Sequence, residues 1–271
     1  MAGGLSGVAF LYGLLVLPES LPPARRMAFS WRRANPFGAL RLLRSKAELT
    51  GLACVTFLLH FGHTVFLAVF VLYAGERYGW GPWQVGLLLA AVGALDMVVQ
   101  GLVVGPVVRR LGDHRTMVIG LFCGTVGVAG MGLATTGTPF ALTLLPNAFW
   151  ALAMPTLQSL MTRQVLESQQ GQLQGAVMSV VSIAGIVAPL FFGGIYAATV
   201  EEGSALPWPG LSFLIAALLL LAAALLGWRL GRRPALAAPR GSGGGRGVGD
   251  AGGRGGRRHW HGPGSRSRGS F

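Results

Sequence analysis

One carboxylate stands inside an otherwise apolar stretch, Ala90-Ala91-Val92-Gly93-Ala94-Leu95-Asp96-Met97-Val98-Val99-Gln100. At bilayer depth an ionised carboxylate costs roughly 3 kcal/mol or more. Asp96 must therefore face a cavity, meet a partner or carry a proton, and a group poised between those states is what a proton-coupling site requires. Gln100 follows one helical turn later on the same face. Hydrogen-bonded glue between helices is the alternative role for Asp96. His60 and His63 are three residues apart, hence on one helix face, flanked by Thr56 and Thr64. Two imidazoles there suit proton shuttling or pore lining, or simple interhelical packing. They lack the further ligands a metal site needs. Asn147, beside the helix-breaking Pro146, is another polar group in an apolar run, with Gln158 a weaker case.

The elements that hold these residues follow from the charges. Charged residues make up 11% of the 271, against about 25% in soluble proteins, hydrophobic residues 52%, and mean hydropathy is +0.57. Charge-free runs of 27, 47, 33 and 26 residues cover Leu49–Gly75, Thr116–Thr162, Ser168–Val200 and Gly203–Trp228. A spanning helix needs about 20 residues, so the chain reads as an all-α polytopic membrane protein. Seven spans can be drawn: the chain start to Leu17, Leu49–Ala74, Val85–Val107, Thr116–Ala134, Phe140–Leu160, Gly175–Ala198 and Leu211–Trp228. The 47-residue run is divided by the turn signal Thr135-Thr136-Gly137-Thr138-Pro139. Cys54 and Cys123 lie in apolar runs and suit no disulfide or metal framework. Small residues mark close helix contacts: Gly101–Gly105, Gly120–Gly124, and the stripe Gly185, Pro189, Gly193, which suits either a hinge or plain packing.

The net charge of +13 is topogenic rather than a nucleic-acid footprint. Of the 22 basic residues, 21 fall after the first, third, fifth and seventh spans, while Arg77 stands beside Glu76 on the other side. These loops and the C-terminus are therefore expected in the cytoplasm, and no specific nucleic-acid partner is expected. The stretch 18–47 reads as a basic connector, in which Asn35–Arg44 is either a short interfacial amphipathic helix or a solvated linker. Residues 48–230 read as a six-helix bundle. The Gly/Arg-rich 231–271 read as a disordered cytoplasmic tail.

Three motifs together resemble a known family. Gly105-Pro106-Val107-Val108-Arg109-Arg110-Leu111-Gly112-Asp113-His114-Arg115 resembles the basic loop between helices eight and nine of the major facilitator superfamily. Glu76-Arg77-Tyr78-Gly79-Trp80, and Arg163-Gln164-Val165 followed by Gln170-Gly171-Gln172-Leu173-Gln174-Gly175, resemble loops of its tetracycline/proton antiporter branch. The likeness runs from Leu5 to Trp228, in register with helices six to twelve. The resemblance implies two six-helix bundles with substrate bound at midplane between them. One bundle would be complete here, and residues 1–17 would be a remnant of the other. Gly105, Arg109, Arg110, Gly112, Asp113 and Arg115 would form a cytoplasmic latch loop. Two positions depart from the exporters: a helix-eight histidine is replaced by Asp96, and a helix-nine acidic residue by Gly124. Proton coupling through Asp96 is implied; tetracycline as the cargo is not.

The expectation is thus a proton-coupled exporter of a small amphipathic or drug-like molecule in the plasma membrane. Asp96 would couple and His60, His63, Gln100 and Asn147 would line the cavity. The proton gradient would drive it, with no cofactor. A second bundle or second chain would be needed to complete the transport unit. A non-transporting truncated fragment, or a sugar or metabolite facilitator on the same fold, are the other readings. No nucleophile–base pairing or phosphate loop supports an enzyme. The orientation has a direct test. In a cysteine-free background, Cys at Ser168 should react with an impermeant maleimide only from the cytoplasm, and Cys at Ser204 only from outside. The reverse pattern would invert the topology.

Overall fold

A computed structural model describes residues 2–15, 41–201 and 208–232. All lie within Met1–Ala237, one of two units into which the chain divides. Residues 18–40 of the connector and the tail beyond residue 232 lie outside the described residues, while the connector's Arg41–Leu43 are helical. The described residues form helices joined by short turns. Lipid explains the choice: helices satisfy every backbone polar group within one segment. Helix α1, Ala2–Leu15, has 14 residues, short of the expected span to Leu17, whose last two positions lie outside the described residues.

Helix α2 runs Ala47–Ala68, with Glu48 in its first turn, where negative charge is favoured. After an interruption at Val69, α3 continues as Phe70–Tyr78 and stops at Gly79, whose φ of 65° suits glycine. Helix α4, Pro82–Val98, opens on a proline at its first position, and the Gln84 side chain accepts the Gly81 N–H at 3.1 Å. A π-helical turn, Val99–Val103, leads into α5, Val104–Leu133.

The helical run Pro82–Leu133 is 52 residues long. Straight, it would measure about 78 Å, far beyond the ~30 Å hydrocarbon core. Gly112 divides it into two spans, with φ 78° and ψ 162° in a region closed to other residues. The expected basic loop is therefore almost absent. Arg109 and Arg110 complete one helix, Asp113 begins the next, and a single glycine makes the turn.

Helices α6 (Gly137–Leu142), α7 (Leu144–Ala148) and α8 (Ala153–Thr162) form one span in pieces, with a 3-10 turn at Phe149–Leu152. Pro146 cannot donate to the carbonyl four residues back, and the helix is interrupted at Thr143. Helix α9, Gln170–Val200, is continuous through Pro189. Helix α10 is Leu211–Gly231. Among the described residues, five helical runs are long and apolar enough to cross a membrane; division at Gly112 makes six spans.

The ends of these spans sort by chemistry. At one end Lys46 Nζ donates to the Gln164 carbonyl at 2.6 Å, Arg163 meets Asp113, and His114 Nε2 donates to the Gly227 carbonyl at 2.7 Å. At the other, Tyr78 Oη donates to the Ala134 carbonyl at 2.9 Å and Tyr196 Oη to Glu76 at 2.5 Å. An aromatic cluster of Tyr73, Tyr78, Phe140 and Phe213 fills the space nearby. Helix α10 packs on α5 and α2, α9 on α2, and the second part of α5 on α7 and α8. Helix α4 rests mainly on α7 and buries one residue, Val85.

The α5 contact is built from glycines. A Cβ at Gly120 would lie 2.8 Å from the Ala153 nitrogen, and one at Gly127 2.8 Å from the Asn147 nitrogen and Cα. The Gly120–Gly124 pattern is therefore packed, whereas Gly101, Gly185 and Gly193 face open space. Replacing Gly127 with Val should destabilise the bundle by about 1–3 kcal/mol through overpacking against backbone. Gly185→Ala should leave stability unchanged or slightly raised. Thermal unfolding in detergent compares the two, and equal midpoints would remove this contact from the account of stability.

Candidate functional site

The polar residues of the spans fall into three groups. The first joins α2, α5 and α7. His63 stacks on Trp150, with ring centroids 4.5 Å apart. Trp150 in turn covers Gly124, where a Cβ would meet the indole at 2.8 Å. The acidic side chain that the resemblance places at this position would collide with Trp150 here. His60 Nδ1 lies 2.9 Å from the Thr56 carbonyl. Only a protonated nitrogen bonds a carbonyl, so the neutral ring keeps Nε2 as an acceptor. Asn147 is buried beside Gly127, and its amide oxygen has no partner among the described residues; the same holds for the Gln158 amide nitrogen. A buried polar atom left unpaired costs about 1–3 kcal/mol, so these atoms offer hydrogen bonds to water or to a ligand.

The second group lies on α4. Asp96 is half-buried and, among the described residues, meets no hydrogen-bond or ion-pair partner. The reading of Asp96 as glue between neighbouring helices thus finds no partner here. The π-turn begins three residues later at Val99, which is buried against Ala148, Ala151 and Leu152. Gln100 lies inside that turn and is exposed. Single π-turns in membrane helices often mark functional sites, and nothing in the residue pattern signalled this one. No hydrogen bond, ion pair or ring contact among the described residues links Asp96 or Gln100 to His60, His63 or Asn147.

The third group sits at the basic end. Asp113 is 8% exposed. Its Oδ2 accepts from Ser159 Oγ at 3.1 Å and from Arg163 Nη2 at 2.5 Å. Of the six latch residues, Asp113 is the one fixed by side-chain contacts to another span, while Arg109, Arg110 and Arg115 are exposed. Gly105 is helical and Gly112 makes the turn. Ser159 and Arg163 lie far from Asp113 in sequence, so no local spacing points to them as its partners. The motif Arg163-Gln164-Val165 was the available signal. Gly185 and Gly193 have open space where a Cβ would stand and Pro189 is half-buried, while the buried residues of α9 include Ala184, Ala188, Phe192 and Tyr196.

Among the described residues, six apolar spans, basic residues gathered mostly at one end and the carboxylate of Asp96 inside an apolar helix define an integral, multi-pass membrane protein. The family model for the Major Facilitator Superfamily matches residues 1–189, and the chain belongs to that superfamily. Among curated proteins it is 31% identical over 220 residues to the class C tetracycline resistance protein of Escherichia coli, covering 81% of this chain and 54% of that one. It is 33% identical over 217 residues to the class G protein of Vibrio anguillarum, covering 80% and 54%. These likenesses place it in the tetracycline-resistance-like branch. The chain spans about half the length of these relatives. Its fold matches the crystal structure of the human organic anion transporter MFSD10 (TETRAN) with a TM-score of 0.69 and 22% identity, over 82% of this chain and 54% of that one.

The Asp113 cluster yields a measurable coupling. Arg163→Ala leaves a buried carboxylate with one neutral partner, which should lower stability by about 1–2 kcal/mol once the exposure of Arg163 is allowed for. Adding Asp113→Asn should recover part of that loss. Unfolding in detergent of both single variants and the double closes the cycle, and strict additivity would mean the pair is not coupled.

Proposed function

We propose that the chain forms one bundle of a proton-coupled exporter of small amphipathic or drug-like molecules, working in the plasma membrane with its C-terminus in the cytoplasm. The observation that carries the reading is Asp96: a half-buried carboxylate without a partner among the described residues, on an apolar helix, next to a π-turn. The likeness to tetracycline resistance proteins supports the direction and the class of cargo. In this reading Asp96 holds a proton in one access state and releases it in the other. Burial favours the neutral form and hydration the ionised one, so the changing access itself drives the exchange.

The cargo would lie between this bundle and a second one. His60, His63, Gln100 and Asn147 would supply the polar contacts on this side, with the unpaired Asn147 oxygen as an acceptor for a cargo N–H or O–H. Arg109, Arg110, Gly112 and Asp113 would stabilise one access state at the basic end, with Arg163 and Ser159 holding Asp113 in place. Gly185, Pro189 and Gly193 would provide a close-packing face for the moving contact.

Asp96→Asn, in a unit that includes the second bundle, should reduce uphill efflux driven by a pH gradient at least tenfold. Downhill exchange of labelled for unlabelled cargo should survive. Asp96→Glu should restore part of the driven transport. Proteoliposome flux with an imposed gradient reads all three, and full gradient-driven efflux by the Asn variant would sink the role assigned to Asp96.

A further inference from the structure

A cavity of about 1120 Å³ opens beside the start of α2, at the basic end of the bundle. Arg41 and Arg44 stand at its mouth, and Ala53, Phe57, Val180 and Ile183 form apolar walls between α2 and α9. Among the described residues, the hydroxyls of this mouth are already used. Ser45 Oγ donates to the Leu42 carbonyl at 2.7 Å, and Thr50 Oγ1 donates to the Leu43 carbonyl at 2.7 Å. Neighbouring Lys46 is held by the Gln164 carbonyl. The side chains of Arg41 and Arg44 make no hydrogen bond or ion pair among the described residues and are exposed. What the mouth offers a ligand is therefore cationic, through two planar guanidinium forks suited to a phosphate.

The dimensions fit an anchored chain. From Thr50 to Leu58 the helix rises about 12 Å, most of the ~15 Å of hydrocarbon in one leaflet. Cys54, also on the wall, is exposed, so the cavity is open at that point rather than sealed. A soluble anion would use the mouth and leave the apolar walls against water or unmatched lipid. An acyl chain would fill the walls while its phosphate met the arginines.

We propose that this groove is a binding site for an anionic phospholipid of the leaflet on the basic side, held by Arg41 and Arg44 at the head group and by the α2–α9 walls along one acyl chain. Each arginine near an anionic surface is worth about a fivefold change in occupancy. The site is independent of the transport reading, since it uses none of the residues assigned to coupling or cargo.

The test is native mass spectrometry of the full chain released from neutral detergent carrying equimolar phosphatidylglycerol and phosphatidylcholine with identical acyl chains. Retained phosphatidylglycerol should exceed phosphatidylcholine by about fivefold or more. Arg41→Gln with Arg44→Gln should abolish that preference, while Arg109→Gln with Arg110→Gln, the same change in net charge elsewhere on this end, should keep it. Ile183→Trp, which narrows the groove without touching a charge, should lower retention, and millimolar glycerol phosphate should not compete. Equal retention of both lipids, equal effects of the two arginine pairs, undiminished retention in Ile183→Trp or displacement by glycerol phosphate would each overturn the lipid assignment.

Discussion

The bundle depends on how closely α5 can approach the broken span α7–α8. Inside a membrane the apolar faces of helices gain little by leaving lipid, so association rests on packing density and on backbones coming near each other. Gly120, Gly124, Gly127 and Gly130 supply that nearness along one face, receiving Ala153, Trp150, Asn147 and Thr143 in turn. Much else follows from this contact. Trp150 can approach α5 this closely because position 124 has no side chain, and there it becomes the surface on which His63 stacks. Asn147 is buried because Gly127 admits it, and its unpaired oxygen is a consequence of the same approach.

Polar groups divide between those that tie spans together and those left open. Asp113, Ser159 and Arg163 bind the start of the second α5 segment to the end of α8, and His114 binds it to the end of α10. At the opposite end Glu76 and Tyr196 join α3 to α9, while Tyr73 and Tyr78 reach carbonyls at the end of α5. Both rims are thus laced by side chain–backbone and charge-assisted bonds, and the middle is held by packing. Against that background the Asp96 carboxylate, the Asn147 amide oxygen and the Gln158 amide nitrogen stand out, since none meets a partner among the described residues.

The spans were legible because charge is excluded from hydrocarbon, and the charge-free runs sit on the helices found. The turn at Gly112 was legible only as a motif. Its brevity was not, because a single residue at φ 78° leaves no compositional trace beyond one glycine among many. The Asp113–Arg163 pairing was hidden by separation along the chain, since neither helical period nor local spacing connects residues on different spans. The π-turn at Val99–Val103 was hidden for another reason: an inserted residue shifts a face without changing composition. The stripe Gly185, Pro189, Gly193 was visible, but its direction depends on which face of α9 meets α2, and Ala184, Ala188 and Phe192 take that place.

The edges of the bundle repeat outward the device that α5 uses inward. Helix α4 and the π-turn that continues it carry Gly86, Gly93 and Gly101, and α9 carries Gly185, Gly193 and Gly194, each with open space where a Cβ would stand. Such small-residue faces let a partner helix bring its backbone close. On the transport reading this places the titrating carboxylate and a surface suited to a second bundle on the same helix. Asp96 sits three residues after Gly93 and five before Gly101. The charge state of Asp96 then changes the cost of burying that helix against a partner, because an ionised carboxylate resists desolvation and a protonated one does not. Protonation would therefore favour the arrangement in which α4 is covered, and deprotonation the one in which it is hydrated. Coupling of proton to movement would need no relay between distant sites, since the group that binds the proton lies on the surface that moves.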